Sequence, residues 1–212
     1  FLGKDSFLSG ELLLMHLFIS ETMNESHDDQ DDVVIDGLYW TKTIPSLEEN
    51  SVYDVYFLNF RNMDFLGSGN SLASYNNIGL RFNGQKDNFA LESELTLQNS
   101  SGTSSKNDVS ASLFSFNLGY KPTSTRFLNS VFLGLDRVSG DDSSTETAEG
   151  FSKEFGARHK HHGFYDYSLH KKYFGHDHDG LNEINAKANI DILKRTNLLV
   201  CLLYTSDAAD DV

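Results

Sequence analysis

A chain of 212 residues is long enough for one large domain, yet only 39% of it is hydrophobic, a low share for a soluble globular protein of that size. Aromatic residues reach 12%, with 16 Phe and 9 Tyr, which excludes the aromatic-poor composition of a disordered chain. The formal charge of −14 argues against a nucleic-acid binder, which presents a basic surface.

No Met opens the chain, and no basic stretch leads into an apolar one, as expected of a secreted protein without its signal or of a fragment. The longest apolar cluster, residues 12–19, is too short for a transmembrane helix and is interrupted by His16. Alternating strands of about 9–11 residues also cross a membrane, so a barrel stays open. At the far end, residues 201–212 read CLLYTSDAADDV, which looks like the in-frame translation of a sequencing adapter. This segment reads as a non-native tail after a domain of residues 1–200, with a natural acidic tail as the alternative. Without it Cys201 is lost, so neither disulfide nor thiol chemistry is expected. Loss of Asp207, Asp210 and Asp211 moves the formal charge from −14 to −11, still acidic.

Taken in chain order, the elements are strands. Residues 11–20, 33–43 and 52–61 are rich in β-branched and aromatic side chains, some apolar on both faces; residues 12–19 fit a helix as well. Around 78–82, Ile78, Leu80 and Phe82 alternate with Asn77, Gly79, Arg81 and Asn83. Residues 89–98 alternate most cleanly: Phe89, Leu91, Leu95 and Leu97 share one face, and Glu92, Glu94, Thr96 and Gln98 the other. In 110–120, Phe114, Phe116, Leu118 and Tyr120 oppose Ser115, Asn117 and Gly119. Residues 127–138 are strand-like, and in 184–192 Ile184, Ala186, Ala188, Ile190 and Ile192 oppose Asn185, Lys187, Asn189 and Asp191. Period two dominates, and helical spacing is absent from 78–82, 89–98, 110–120 and 184–192.

The connections alternate in length. Long 21–32, 62–73, 99–107 and 139–157 interleave with shorter 44–50, 84–87 and 121–124, the habit of bacterial outer-membrane barrels. The rhythm breaks near the end, where 170–180 falls on the short side yet is long, and 195–197 on the long side yet is short. Alternating strands also build lipocalin-like and sandwich folds.

Residues 134–188 narrow the choice. They carry Ser139, Gly140 and Asp141 at a strand end, then Phe155 and Gly156, His159 and Lys160, and Gly163, Phe164, Asp166 and Tyr167. Gly180, Leu181, Asn182 and Glu183 follow. In order and spacing this resembles the alginate-export family of outer-membrane β-barrels over about fifty residues; upstream, only strand rhythm and phrases such as NNIGLRF and SFNLGYKPT agree. The resemblance implies an antiparallel transmembrane β-barrel of about eighteen strands that conducts an anionic polysaccharide outward. It also implies the outer membrane as location, with its lipid and periplasmic export components as partners. Nine or ten strand candidates would then be an incomplete barrel, which cannot insert alone because lipid does not satisfy an open strand edge.

If the apolar faces meet lipid, the opposite faces line a pore. The candidates there are Arg81, Lys187, Glu92, Glu94 and Asp191, followed by Arg61, Arg137 and Lys160, whose strands alternate less cleanly. Guanidinium and ammonium groups suit uronate carboxylates, and charge rings set selectivity in pores; the bland reading is ordinary solvated charges of both signs. His159, His161, His162, His176 and His178 with Asp177 and Asp179 lack the fixed framework of a zinc site. The acidic stretches 28–32 and 141–142 lack a calcium loop's spacing. No metal or cofactor is expected. No nucleophile elbow or phosphate loop occurs, and Ser168 beside His170 is no triad, so no enzyme activity is expected. The expected function is a passive outer-membrane channel of the alginate-export type; the alternative is a soluble or periplasmic β-rich binding module.

Overall fold

The computed structural model describes residues 9–20, 33–45, 47, 51–61, 74–100, 108–123, 127–142, 144–152, 180–193 and 196–206. These form nine strands: β1 (Glu11–Ser20), β2 (Val33–Thr43), β3 (Val52–Arg61), β4 (Ser74–Lys86), β5 (Phe89–Ser100), β6 (Ser110–Tyr120), β7 (Leu128–Val138), β8 (Leu181–Leu193) and β9 (Thr196–Ser206). They build one antiparallel sheet in simple chain order, β1 to β9, with no helix among the described residues. β1 and β9 are its two edges and do not pair, so the sheet is open.

The expected strands at 11–20, 33–43, 52–61 and 110–120 have the observed bounds. Residues 12–19, for which a helix is the alternative by sequence, are strand as expected, held by a continuous ladder from Glu11↔Thr41 to Phe18↔Val34. β4 runs further than expected, to Lys86, so the tight turn is not 84–87 but Asp87 and Asn88. Asp87 takes a left-handed φ of 53°, a conformation Asp tolerates better than most residues.

The break in the loop rhythm disappears. β7 pairs directly with β8, from Val138↔Leu181 to Leu128↔Ile190, so residues 139–180 are one excursion between neighbouring strands. Counted that way, the connections 21–32, 62–73, 101–109 and 139–180 leave from one end of the sheet, and 44–51, 87–88, 121–127 and 194–195 from the other. β9 continues through Cys201 to Ser206, pairing with β8 from Thr196↔Leu193 to Ser206↔Asn182. It differs from its neighbours in being apolar on both faces: Leu198, Val200 and Leu202 on one, Leu199 and Leu203 on the other.

Register joins the apolar positions into rows. Leu12, Trp40, Val55, Leu80, Leu95 and Phe114 are successive partners across six strands. Leu14, Leu38, Phe57, Ile78 and Leu97 form a second row, and Leu91, Leu118, Leu133, Ala186 and Leu202 a third. This apolar face is the bare one: Leu80 is 52% exposed and Leu133 58%. The opposite face is polar and covered, with Asp54 at 2% and Glu183 at 0%. Soluble antiparallel sheets do the reverse, packing the apolar face on a core and solvating the polar one.

The core is small and lies on the polar side, at the long-loop end. Val33 and Ile35 from β2, Phe60 from β3 and Tyr75 from β4 cluster with Val109 and Ala148; the Phe60 and Tyr75 rings stack at 4.8 Å. Ala148 arrives there because residues 144–152 fold back beside the start of β6. Val109 and Ala148 form a parallel bridge, the Ser110 amide donates to Ala148 O at 3.0 Å, and the Ala148 amide to Asp108 O at 2.7 Å.

Candidate functional site

The polar face carries the candidate site. One register row crosses six strands as Asp54, Arg81, Glu94, Ser115, Asp136 and Glu183. Arg81 is its cation: Nη1 lies 3.7 Å from Asp54 Oδ2, and Nη2 lies 3.5 Å from Glu92 Oε1. Asp54 also accepts from Thr41 Oγ1 at 2.7 Å, so its near-complete burial leaves both oxygens engaged. Further along the row the Ser115 hydroxyl donates to Asp136. The Asn185 amide donates to Glu183 Oε1 at 3.0 Å and to Asp136 Oδ2 at 3.5 Å.

Tyrosines flank the charged row. The Tyr56 hydroxyl donates to Glu94 Oε1 at 2.7 Å and lies 2.5 Å from Thr96 Oγ1. Its ring stacks on Tyr39 at 5.5 Å, the two planes 1° apart. It also lies flat over Gly79 of β4, where any Cβ would collide with it. The same device recurs at Phe132, whose ring covers Gly119 of β6. Glycine on a neighbouring strand thus lets an aromatic ring lie along the sheet instead of standing up from it.

Beside Phe132 the face opens into a cavity of about 260 Å³. Glu92, Asn117, Ser130, Phe132, Lys187 and Asn189 line it, with Leu199 from β9 at its margin. Every one of these side chains belongs to the polar face by register.

Four of the expected pore residues therefore come together on one face: Arg81, Glu92 and Glu94 as neighbours, and Glu92 and Lys187 across the cavity. Asp191 sits at the β8–β9 turn, accepting from Asn197 Nδ2 at 3.1 Å. Arg61 departs from the group. On β3 it has the parity of Val55 and Phe57, which puts it on the apolar face, beyond the apolar rows at the long-loop end. There its Nη2 lies 2.7 Å from Asp36 Oδ2, while His16 Nδ1 lies 2.6 Å from Asp36 Oδ1. Arg137, in register with Phe114, is on that face too. Lys160 lies outside the described residues, as do Gly156, His159, Gly163, Phe164, Asp166 and Tyr167 and the other His-cluster positions.

The described motif residues hold the backbone. Ser139 Oγ donates to Glu149 O at 2.6 Å and accepts from the Ser112 amide at 2.9 Å, and Asp141 Oδ1 accepts from the Glu149 amide at 3.0 Å. Ser139 and Asp141 so clasp the returning segment 144–152. Asp142, in the same clasp, accepts from the Ser144 amide at 2.8 Å, and the Ser144 bonds hold its carboxyl below the usual carboxylate range. Gly180 opens β8 with a φ of 73°, and Leu181 and Glu183 behind it are buried. Sequence reasoning missed Asp54, Tyr56, Phe132 and Asp136 because β3 and β7 are apolar at both parities; only their register partners reveal the face.

No protein-family model matches the chain, and searches of curated proteins and of solved structures return no match to it.

Proposed function

We propose that this sheet is part of the wall of an outer-membrane β-barrel channel of the alginate-export kind. A polar solute, an anionic polysaccharide on that likeness, diffuses along its polar face without catalysis. Outer-membrane lipid is the partner of the other face. The observation that carries this reading is the inversion of the sheet, with large apolar side chains bare and carboxylates and amides covered. Water penalises that arrangement and lipid favours it.

The dimensions support it. From Phe89 to Leu97 the apolar face of β5 extends roughly 26 Å along the strand at ~3.3 Å per residue, against an apolar band of about 25 Å in such barrels. Beyond Leu97, at the long-loop end, the face turns polar: Asn59 donates to Asn76 at 2.7 Å, and Asn76 faces Asn99. Towards the short turns it carries aromatic rings, including Trp40 against Tyr53 at 5.2 Å and Phe89 against Tyr120 at 5.1 Å. Aromatic girdles at the lipid–water boundary have this composition. The edges support a larger barrel, because β1 exposes Leu12, Leu13 and Leu14 on both of its faces, and such an edge needs a covering strand.

Trp40 is the only Trp of these residues and lies on the apolar face, so it reports directly on lipid. The test uses the full-length protein with any Trp outside this stretch replaced by Phe, folded into bilayers of lipids brominated on the acyl chain. Trp40 emission should be strongly quenched, and the folded protein should migrate faster on a gel than the boiled one. Emission untouched by bromine but quenched by aqueous acrylamide, with no mobility change on boiling, would leave a soluble β-rich module instead.

A further inference from the structure

The cavity beside Phe132 has a chemistry of its own. Its charges balance, one carboxylate from Glu92 against one ammonium from Lys187. Glu92 also faces Arg81 at 3.5 Å, which ties the cavity to the charged row. The same cavity is lined by the amides of Asn117 and Asn189 and the hydroxyl of Ser130, groups that both donate and accept. Asn189 Oδ1 is sealed from solvent and has no hydrogen-bond partner among the described residues, so the amide Nδ2 is the group Asn189 offers the cavity. The floor is the Phe132 ring, held flat by the absence of a side chain at Gly119. At about 260 Å³ the cavity falls below the usual range for drug-sized ligands, a size for one small ring and not for several.

We infer that this cavity is a binding subsite for a single sugar ring, gripped by its hydroxyls and by its C–H face and not by a carboxylate. Vicinal hydroxyls each donate and accept, as the Asn117 and Asn189 amides do. The apolar face of a pyranose packs on a flat aromatic ring. A uronate carboxylate gains little here, because the nearby charges cancel, Lys187 and Arg81 against Glu92 and Asp54. The inference rests on the channel reading of this face and sharpens it: along this part of the wall the glycan is recognised as a polyol, whatever charge it carries elsewhere.

The test compares two probes that differ only at C6, β-1,4-mannotetraose and the tetramer of β-1,4-mannuronate. Binding to the full-length protein folded in detergent micelles is measured by titration calorimetry, and blockade of bilayer current by each tetramer is measured separately. The neutral tetramer should bind at least as tightly as the uronate. Phe132→Ala and Asn189→Ala should each weaken it about tenfold, which is ~1.4 kcal/mol, while Phe132→Tyr, which keeps the ring, should stay within about threefold. Should Phe132→Ala fail to fold once its ring leaves Gly119, Asn189→Ala and Asn117→Ala decide the matter. Binding of the uronate alone overturns the inference, as does binding indifferent to these variants, and in either case the channel stands if current is seen. Absence of current with intact, variant-sensitive binding instead removes the channel and keeps the subsite.

Discussion

The Tyr56 ring lies flat on the backbone of Gly79, one strand away, and a methyl group at position 79 would occupy the space of the ring. That contact also aims the Tyr56 hydroxyl along the face to Glu94 at 2.7 Å. Gly79→Ala is therefore expected to destabilise the fold by about 1–3 kcal/mol through overpacking. The loss should shrink markedly when Tyr56 is already Leu. Urea unfolding of the two single variants and the double variant measures this coupling; equal losses in both backgrounds would show that the ring and the glycine act independently.

Beside the clasp of Ser139 and Asp141, Gln98 fastens the segment returning after β7. Gln98 Nε2 donates to Ser152 O at 2.7 Å, and Gln98 Oε1 accepts from the Ser152 amide at 2.8 Å, both within a buried pair. Gln98→Leu removes both bonds from a buried site, at a cost of about 1–3 kcal/mol. Hydrogen exchange should quicken at Ser152 while the β4–β5 ladder keeps its protection. Exchange unchanged at Ser152 would mean that the Ser139 and Asp141 clasp suffices.

Leu80 occupies the centre of the row Val55, Leu80, Leu95. Leu80→Arg should cost about 2–4 kcal/mol when the protein folds into bilayers, the penalty for a cation on a barrel's lipid face near the midplane. The same change at Arg61's position on the polar margin is already native, and Arg61→Leu should change folding free energy by less than about 1 kcal/mol. Equilibrium folding titrations into phosphocholine vesicles give both numbers, and a mild Leu80→Arg would speak for water, not lipid, against this face.

Arg81 and Lys187 are the two cations that the polar face contributes among its described strand residues, against Glu11, Asp54, Glu92, Glu94, Asp136, Glu183 and Asp191. Arg81→Glu and Lys187→Glu should each lower anion preference in a full-length channel, read as a shift in reversal potential across a salt gradient. Arg81→Glu should have the additional effect of destabilising the fold, because it sets a third carboxylate between Asp54 at 3.7 Å and Glu92 at 3.5 Å. Unmoved reversal potentials in both variants would take these residues off the conducting path.

Asp142 carries a pH prediction outside the sheet. Its carboxyl is held below 3.8 by the bonds from Ser144. The stabilisation this gives is present above the unfolded value and is lost as pH falls through the folded one. Carbon-detected titration should place its midpoint below that of an unstructured Asp, and Ser144→Ala, which removes the hydroxyl but keeps the amide, should return it part of the way.

Strand positions were legible in the sequence because period two is a local property: each side chain of β5 or β8 announces its face by the parity of its neighbours. Which face is covered was not legible there, since Leu95 and Leu97 alternating with Thr96 and Gln98 fit an apolar core as well as an apolar rim. What only the tertiary structure decided is how one strand's parity relates to the next. In VYDVYFLNFR of β3 both parities are apolar, so nothing local tells that Arg61 faces away from Arg81; the pairing of Asp54 with Arg81 does. The joining of 139–180 into one excursion, the clasp at Ser139 and Asp141, and the meeting of Glu92 with Lys187 in one cavity depend on the same long-range register. A strand's face is written in its own residues, but register is a relation between strands, and a shift of one residue would turn every one of these side chains to the other side.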